Sequence, residues 1–336
     1  MRPQLSTFTF NTLLTLGLLA PSFAGETATN GTLAPNAAAI GADIAGFSSQ
    51  LPILVIDTFG SGALVKDGHD HPSTVSVYPA AGGGRNFGGD PQFTTPMTIS
   101  VRGTSSADFP KKSFTIALRD QKGKKFSQPL LDLPAAESWT LIAPWRFDPS
   151  YISNAFVYAL SNRLGRWAPR TRFVEVFFNA DGGEVSRADY AGIYVLTDRI
   201  DAGDDRVALS KPDKGALVGD SSYILKVDSA DPDEFSWNTM RGIGAGASSI
   251  VLVSPKADDA TPAQLDYIHE YVQQMENALH ADQAGGWSQR THLQFIERSA
   301  WIDHHLLNTF VSNPDALMMR SCALARDFSD SPTESI

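Results

Sequence analysis

The chain has a single cysteine in 336 residues, so no intramolecular disulfide can form, and no C-x-x-C pair is present to hold zinc. No apolar run reaches the roughly 18 residues that a membrane-spanning helix requires. Basic residues are also scarce: 27 Lys plus Arg stand against 37 Asp plus Glu, for a net charge of −10. That balance excludes a nucleic-acid binder built on a basic face, and a polybasic membrane-surface protein with it. A phosphate loop of the form G-x-x-x-x-G-K-[ST] is absent, and no internal repeat is visible. Hydrophobic residues make up 42% and charged residues 19%, which excludes wholesale disorder. The length corresponds to one large domain or two smaller ones.

The N-terminus carries Arg2, the short apolar run Leu13 to Ala20, and then Ser22-Phe23-Ala24, with small residues at the −3 and −1 places. This is the pattern of a signal peptide over residues 1–24, and it predicts export to the periplasm, cell surface or exterior. Residues 25–50 are rich in Ala, Gly, Thr and Asn without apolar period, and read as a flexible leader.

From Leu51 the pattern becomes that of strands. Leu51 to Asp57 reads as a buried strand. Met97 to Val101 and Lys112 to Leu118 alternate as antiparallel neighbours do, and Trp139 to Ile142 is a further strand. Ser150 to Leu164 changes period, with Ile152, Ala155, Phe156, Ala159, Leu160 and Leu164 on one helical face; Asp148 or Ser150 can cap it and Gly165 can end it. Arg172 to Phe178 and Ala191 to Leu196, around Asp181-Gly182-Gly183, read as a hairpin. Ser222 to Val227 and Ser249 to Val253 are later strands. Thr261-Pro262-Ala263-Gln264 is a capping-box pattern that opens a helix to about Ala281, and Ser299 to Val311 is another helix. The fold class is α+β, with a sheet-rich N-terminal part followed by helices.

Most short motifs favour plain structural readings. Gly242 to Ala247 fits G-x-G-x-x-A but runs into a strand instead of opening a helix, so it reads as a loop. Gly103 to Ala107 lacks the strand–turn–helix of a nucleophile elbow. His69 and His71 on an extended segment, and His304-His305 on a helix, do not converge on one metal ion. Asp228, Asp231, Asp233 and Glu234 read as a solvated acidic turn or a cation loop, with the former favoured. The segment from Arg102 to Ser113 differs, because a donor-rich loop there joins two strands. Arg102 offers a planar fork to phosphate oxygens and Lys112 a point charge, although a solvated hairpin end fits equally well.

Six stretches taken together resemble the CotH family, spore-coat-protein-H-type secreted kinases with an atypical protein-kinase-like fold. They are RGTSSADFPKKSFTIALRD (102–120), ESWTLIAPWRFDPSYISNAFVYALSNRLG (137–165), APRTRFVEVFFN (168–179), YAGIYVLTDRID (190–201), SYILKVD (222–228) and LLNTFVSNPDA (306–316). The resemblance implies a kinase-like domain over 51–319, with a sheet-rich nucleotide-binding lobe and a partial helical lobe. It implies transfer of the ATP γ-phosphate to Ser or Thr of a coat or cell-surface protein, with Mg²⁺. In this reading Arg102, Lys112 and Asp198 serve ATP binding, and Asp315 takes the catalytic or metal-linked position.

Three positions depart from the family pattern. Asp198 stands where Glu is usual, and Ser153 stands where an Arg precedes Asn154. No W-D-F-D-like metal motif follows Met319. The text over 320–336 reads as an aberrant or disordered tail, and the domain as incomplete at its C-terminal side. On that reading Ile302, Leu306, Leu307 and Phe310 are expected to lack partners and the product to be unstable. The alternative reading of the whole chain is a non-catalytic coat or surface interaction protein.

Overall fold

The computed structural model describes residues 36–80, 82, 86–145, 148–209, 218, 221–232, 234–241 and 248–313, together with the backbone of 322–326. The segment over 1–24, the Gly242–Ala247 loop, Asp233 and Asp315 lie outside the described residues.

Seven strands close into a barrel: β1 (Ile53–Asp57), β2 (His71–Tyr78), β3 (Phe93–Arg102), β4 (Ser113–Leu118), β7 (Ser138–Ile142), β8 (Thr171–Asn179) and β9 (Tyr190–Asp198). They follow the order β1-β2-β3-β4-β7-β9-β8, and a parallel pairing of β1 with β8 shuts the ring. Between β4 and β7 lies the small hairpin of β5 (Gln128–Leu130) and β6 (Leu133–Ala136). Alternation dictates the interior. Ile99 and Val101, Phe114, Ile116 and Leu118, Trp139 and Leu141, Val174 and Val176, and Leu196 form one buried cluster. The expected pairs are present: β3 and β4 run antiparallel with Met97 opposite Leu118, and β8 and β9 form the hairpin around Gly182. Gly182 has φ of +75°, and a Cβ there would come within 3.3 Å of the Gly60 main chain, so the turn requires glycine.

Four features differ from the sequence reading. β2 was hidden by its polar start, His71-Pro72-Ser73-Thr74. Residues 36–50, read as part of a flexible leader, lie against the barrel from 36 onward. Ile44 and Phe47 pack there on Phe177, Tyr78 and Val185, an apolar set too irregularly spaced to give a period. The region after β9 is also more than helical. It holds a four-stranded sheet of β10 (Tyr223–Asp228), β11 (Ser236–Trp237), β12 (Ser249–Ser254) and β13 (Cys322–Arg326) in the order β11-β12-β10-β13. α2 (Pro262–Ala284) packs on that sheet through Ile268, Val272 and Met275. Finally, β13 lies within the stretch read as an aberrant tail, yet it pairs antiparallel with β10 over five residues. The architecture is mixed α+β.

The capping box of α2 forms in both directions, with the Thr261 hydroxyl accepting from Gln264 N and the Gln264 side chain accepting from Thr261 N. α1 (Ser153–Arg163) is capped by Asp148, which accepts from Ser153 N at 3.1 Å, and Gly165 follows its end with φ of +79°. α3 (Arg298–Phe310) begins at Glu297, whose carboxylate accepts from Ser299 N. α1 and α3 run antiparallel: Arg166 beyond the end of α1 binds Asp303 near the start of α3, and Phe156 meets Phe310 across the other end. Of the face expected to be buried on α1, only Ala155 is so, while Ile152, Phe156 and Leu164 are exposed. On α3, Leu307 is buried and Ile302, Leu306 and Phe310 are 49%, 59% and 70% exposed.

Candidate functional site

The barrel's outer face carries a row of hydroxyls. Ser100 on β3 is opposite Thr115 on β4, Thr115 opposite Thr140 on β7, Thr140 opposite Thr197 on β9, and Thr197 opposite Thr171 on β8. Directly opposed residues share a face, and the chain neighbours of Ser100, Thr115 and Thr140 (Ile99 and Val101, Phe114 and Ile116, Trp139 and Leu141) belong to the interior cluster, so the row lies on the outside. Thr140 and Thr197, in the middle of the row, are buried.

Arg102, at the end of β3, reaches over β4 to this row and donates from Nη1 to Thr140 Oγ1 at 2.5 Å. It keeps solvent access while lying deep among neighbouring groups. Desolvation is the main cause that lowers its pKa, the like charge of Arg199 adds to the effect, and Tyr158 and Asp228 oppose it. Tyr158 comes from α1, Arg199 follows β9 and Asp228 ends β10. Burial in turn raises the Tyr158 hydroxyl, and Arg102 lowers it. Among the described residues neither Arg102 nor Arg199 has a carboxylate within ion-pair distance. Arg102, bonded to the Thr140 hydroxyl and close enough to Arg199 to feel its like charge, is a cation whose fork remains open to an anion.

The loop after Arg102 is tight. Gly103 has φ of +98°, and a Cβ would fall 2.0 Å from Ser106 Oγ, so only glycine fits. Lys112 closes this loop by donating to Ala107 O at 2.5 Å. Lys112 immediately precedes Ser113, the residue that Arg102 opposes across the strands.

Asp198 does not meet Lys112. Its buried carboxylate, 1% exposed, accepts from Arg170 Nε at 2.6 Å and lies 3.8 Å from Arg206 Nη2. Asp198 N also donates to Arg170 O. This clamp fixes the end of β9, and so the departure point of Arg199, which places Asp198 behind the site as a support. The acidic turn after β10 is spent on lysines: Glu234 binds Lys226 of β10, and Asp231 binds Lys66 from the segment between β1 and β2. His71 opens β2 and meets Asp67 at 3.1 Å. Among the described residues no three His, Cys, Asp or Glu side chains converge as metal ligands, and no helix is long and apolar enough to cross a membrane.

Sequence reasoning singled out Arg102 and Lys112 as candidates and did not single out Arg199, Tyr158 or the hydroxyl row. Threonine at alternating strand positions was the available signal, and only the strand register joins those positions into a row. A family model described as CotH kinase protein matches residues 99–334, a range that runs from β3 through β13. No curated protein matches the chain.

Proposed function

The chain belongs to the CotH kinase protein family, and from that premise we propose that the surface around Arg102 and Arg199 binds the phosphates of ATP for transfer to a Ser or Thr hydroxyl. The observation that supports this reading is Arg102, which bonds to the Thr140 hydroxyl, lies near the like charge of Arg199 and has no carboxylate within ion-pair distance among the described residues. Bound there, ATP supplies the γ-phosphoryl group, and a divalent ion such as Mg²⁺ neutralises charge that develops on its oxygens.

Each side chain has a part in this scheme. Arg102, held by Thr140, grips phosphate oxygens through its planar fork, and Arg199 approaches from the end of β9. Lys112 exchanges Ala107 O for a phosphate oxygen, a short movement for a flexible stem. Asp198 keeps Arg199 in place through Arg170 and Arg206. Asp228, at the end of β10, is close enough to Arg102 for its charge to raise that arginine's pKa, and it is the carboxylate that would hold Mg²⁺, an ion that needs only one or two carboxylates beside the phosphates. Asp315, assigned by resemblance, orients the acceptor hydroxyl and takes its proton. The acceptor class, Ser or Thr of a coat or extracytoplasmic protein, likewise follows from the resemblance, and the signal-peptide pattern over 1–24 supports export. An atypical kinase-like fold over residues 51–319 belongs to the same proposal.

Thermal unfolding with and without Mg-ATP tests the reading. Saturation at 100 times Kd should add about 2.7 kcal/mol of stability, and Arg102→Ala should abolish the shift. No shift at millimolar Mg-ATP would sink the proposal. A second reading, a non-catalytic coat or surface interaction protein, is favoured by the exposed stripes of α1 and α3. It predicts a bound protein partner and no phosphate transfer.

A further inference from the structure

α1 brings Tyr158 close enough to Arg102 for each to shift the other's pKa, yet the helix is held almost entirely by its ends. Ala155 is its one buried residue. At the C-terminal end, the Asn162 side chain donates to Ala168 O at 2.9 Å and accepts from Ala168 N at 3.0 Å, and Arg166 binds Asp303 at 2.8 Å. At the other end stands Tyr151, with a left-handed φ of +63°. Its ring lies 5.1 Å from Lys111 Nζ, and the Tyr194 ring from β9 lies 4.5 Å from the same ammonium. Lys111 Nζ also donates to Ile193 O. Gly192, beside the ammonium, has φ of +86°, a conformation that favours glycine, although a Cβ there would stand in ordinary contact with Nζ at 3.4 Å.

An ammonium between two aromatic faces is attracted by both rings, and the main-chain bond fixes its position. Burial lowers the Lys111 pKa, while the Glu175 charge on β8 opposes that shift. The neighbouring Lys112 bonds instead to Ala107 O in the Gly103 loop. One lysine therefore ties the barrel to α1, and the next closes the loop beside Arg102.

We infer that Lys111 is a positioning residue: it clasps Tyr151 to β9 and thereby sets α1, so that Tyr158 stands against Arg102. Its consequence for ligand binding rests on the anion-site reading above, whereas the clasp itself does not. The barrel side of this pair is anchored and the α1 side hangs from two ties, so the approach of Tyr158 to Arg102 depends on this contact.

Hydrogen exchange of the full chain without ligand tests the clasp, and Mg-ATP binding by titration calorimetry tests its consequence. Lys111→Met keeps an apolar stem between the rings and removes the charge. Exchange in 153–163 should rise about tenfold while β3, β4 and β7 stay unchanged. Mg-ATP affinity of the folded protein should fall about tenfold, with Lys111→Arg restoring most of it. Tyr151→Leu, which leaves the Ile193 bond intact, should loosen α1 in the same way and serves if Lys111→Met fails to fold. Unchanged exchange over 153–163 in either variant overturns the clasp. Loosened exchange with unaltered Mg-ATP affinity overturns the positioning role and leaves a structural tie. If the parent chain itself binds no Mg-ATP, the anion-site reading fails, while the exchange result still decides the clasp.

Discussion

The barrel and the α1–α3 pair solve the problem of an apolar face in opposite ways. In the barrel, each strand has two neighbours and the inward side chains are sealed: Ile116, Trp139 and Leu141 have no measurable exposure. In the helix pair, Ile302, Leu306 and Phe310 repeat every fourth residue along α3 and remain largely in water, beside Ile152 and Phe156 of α1. The first region is held by burial, the second by a few polar and aromatic ties at its ends. Arg102 therefore sits on the firmly held region and Tyr158, which faces it electrostatically, on the loosely held one.

The comparison breaks first if the barrel core proves tolerant. Trp139→Ala is expected to cost about 3–5 kcal/mol, read from denaturant unfolding, and a loss below about 1 kcal/mol would mean that the interior is not the source of stability. Asp198→Ala comes next, at about 3 kcal/mol, because it leaves Arg170 and Arg206 around an empty site. The Mg-ATP shift should vanish with it as Arg199 loses its anchor.

The region after β9 gives a smaller, pH-dependent effect at the end of α2. Burial acts to raise the Asp282 carboxyl, but bonds from the His292 main chain and ring and from Thr291 outweigh it and bring the pKa to about 2. A depressed carboxyl stabilises the fold fully above its ordinary value of 3.8, and that contribution is lost as pH falls toward 2. Asp282→Asn should therefore flatten the acid side of a Tm-against-pH curve; an unchanged slope there would remove the His292 bonds from the account. Leu306→Lys should have the smallest effect, within about 0.5 kcal/mol. A large loss of stability from Leu306→Lys would show that the stripe is covered in solution, and the contrast with the barrel would then disappear.

The sequence reading was good where structure is local. Alternation revealed β3 and β4, glycines marked the β8–β9 turn, and Thr261 with Gln264 announced α2. It was weaker where structure depends on assembly. Ile152, Phe156 and Leu164 lie at helical spacing, which signals an apolar face but not whether anything covers it. Lys111 and Lys112 are chemically identical neighbours, and their separation into a clasp and a loop closure arises from the left-handed turn at Tyr151 and the aromatic ring of Tyr194. Arg199 became part of the site only because Asp198 is pinned from behind by Arg170. The hydroxyl row draws on five strands, so no window of sequence contains it.

The parallel seam between β1 and β8 also sets a schedule. The bond from Thr58 to Asn179 at this seam spans 121 residues, so β1, the earliest strand of the barrel to be synthesised, waits longest for one of its partners. Until β8 arrives, Ile53-Leu54-Val55-Ile56 presents an unpaired, strongly apolar edge. Closure over so long a loop is slow compared with hairpin formation. The interval between the emergence of β1 and its capture by β8 is therefore the period in which the nascent chain is most exposed to mispairing, and a helper that shields one short strand would protect the whole barrel.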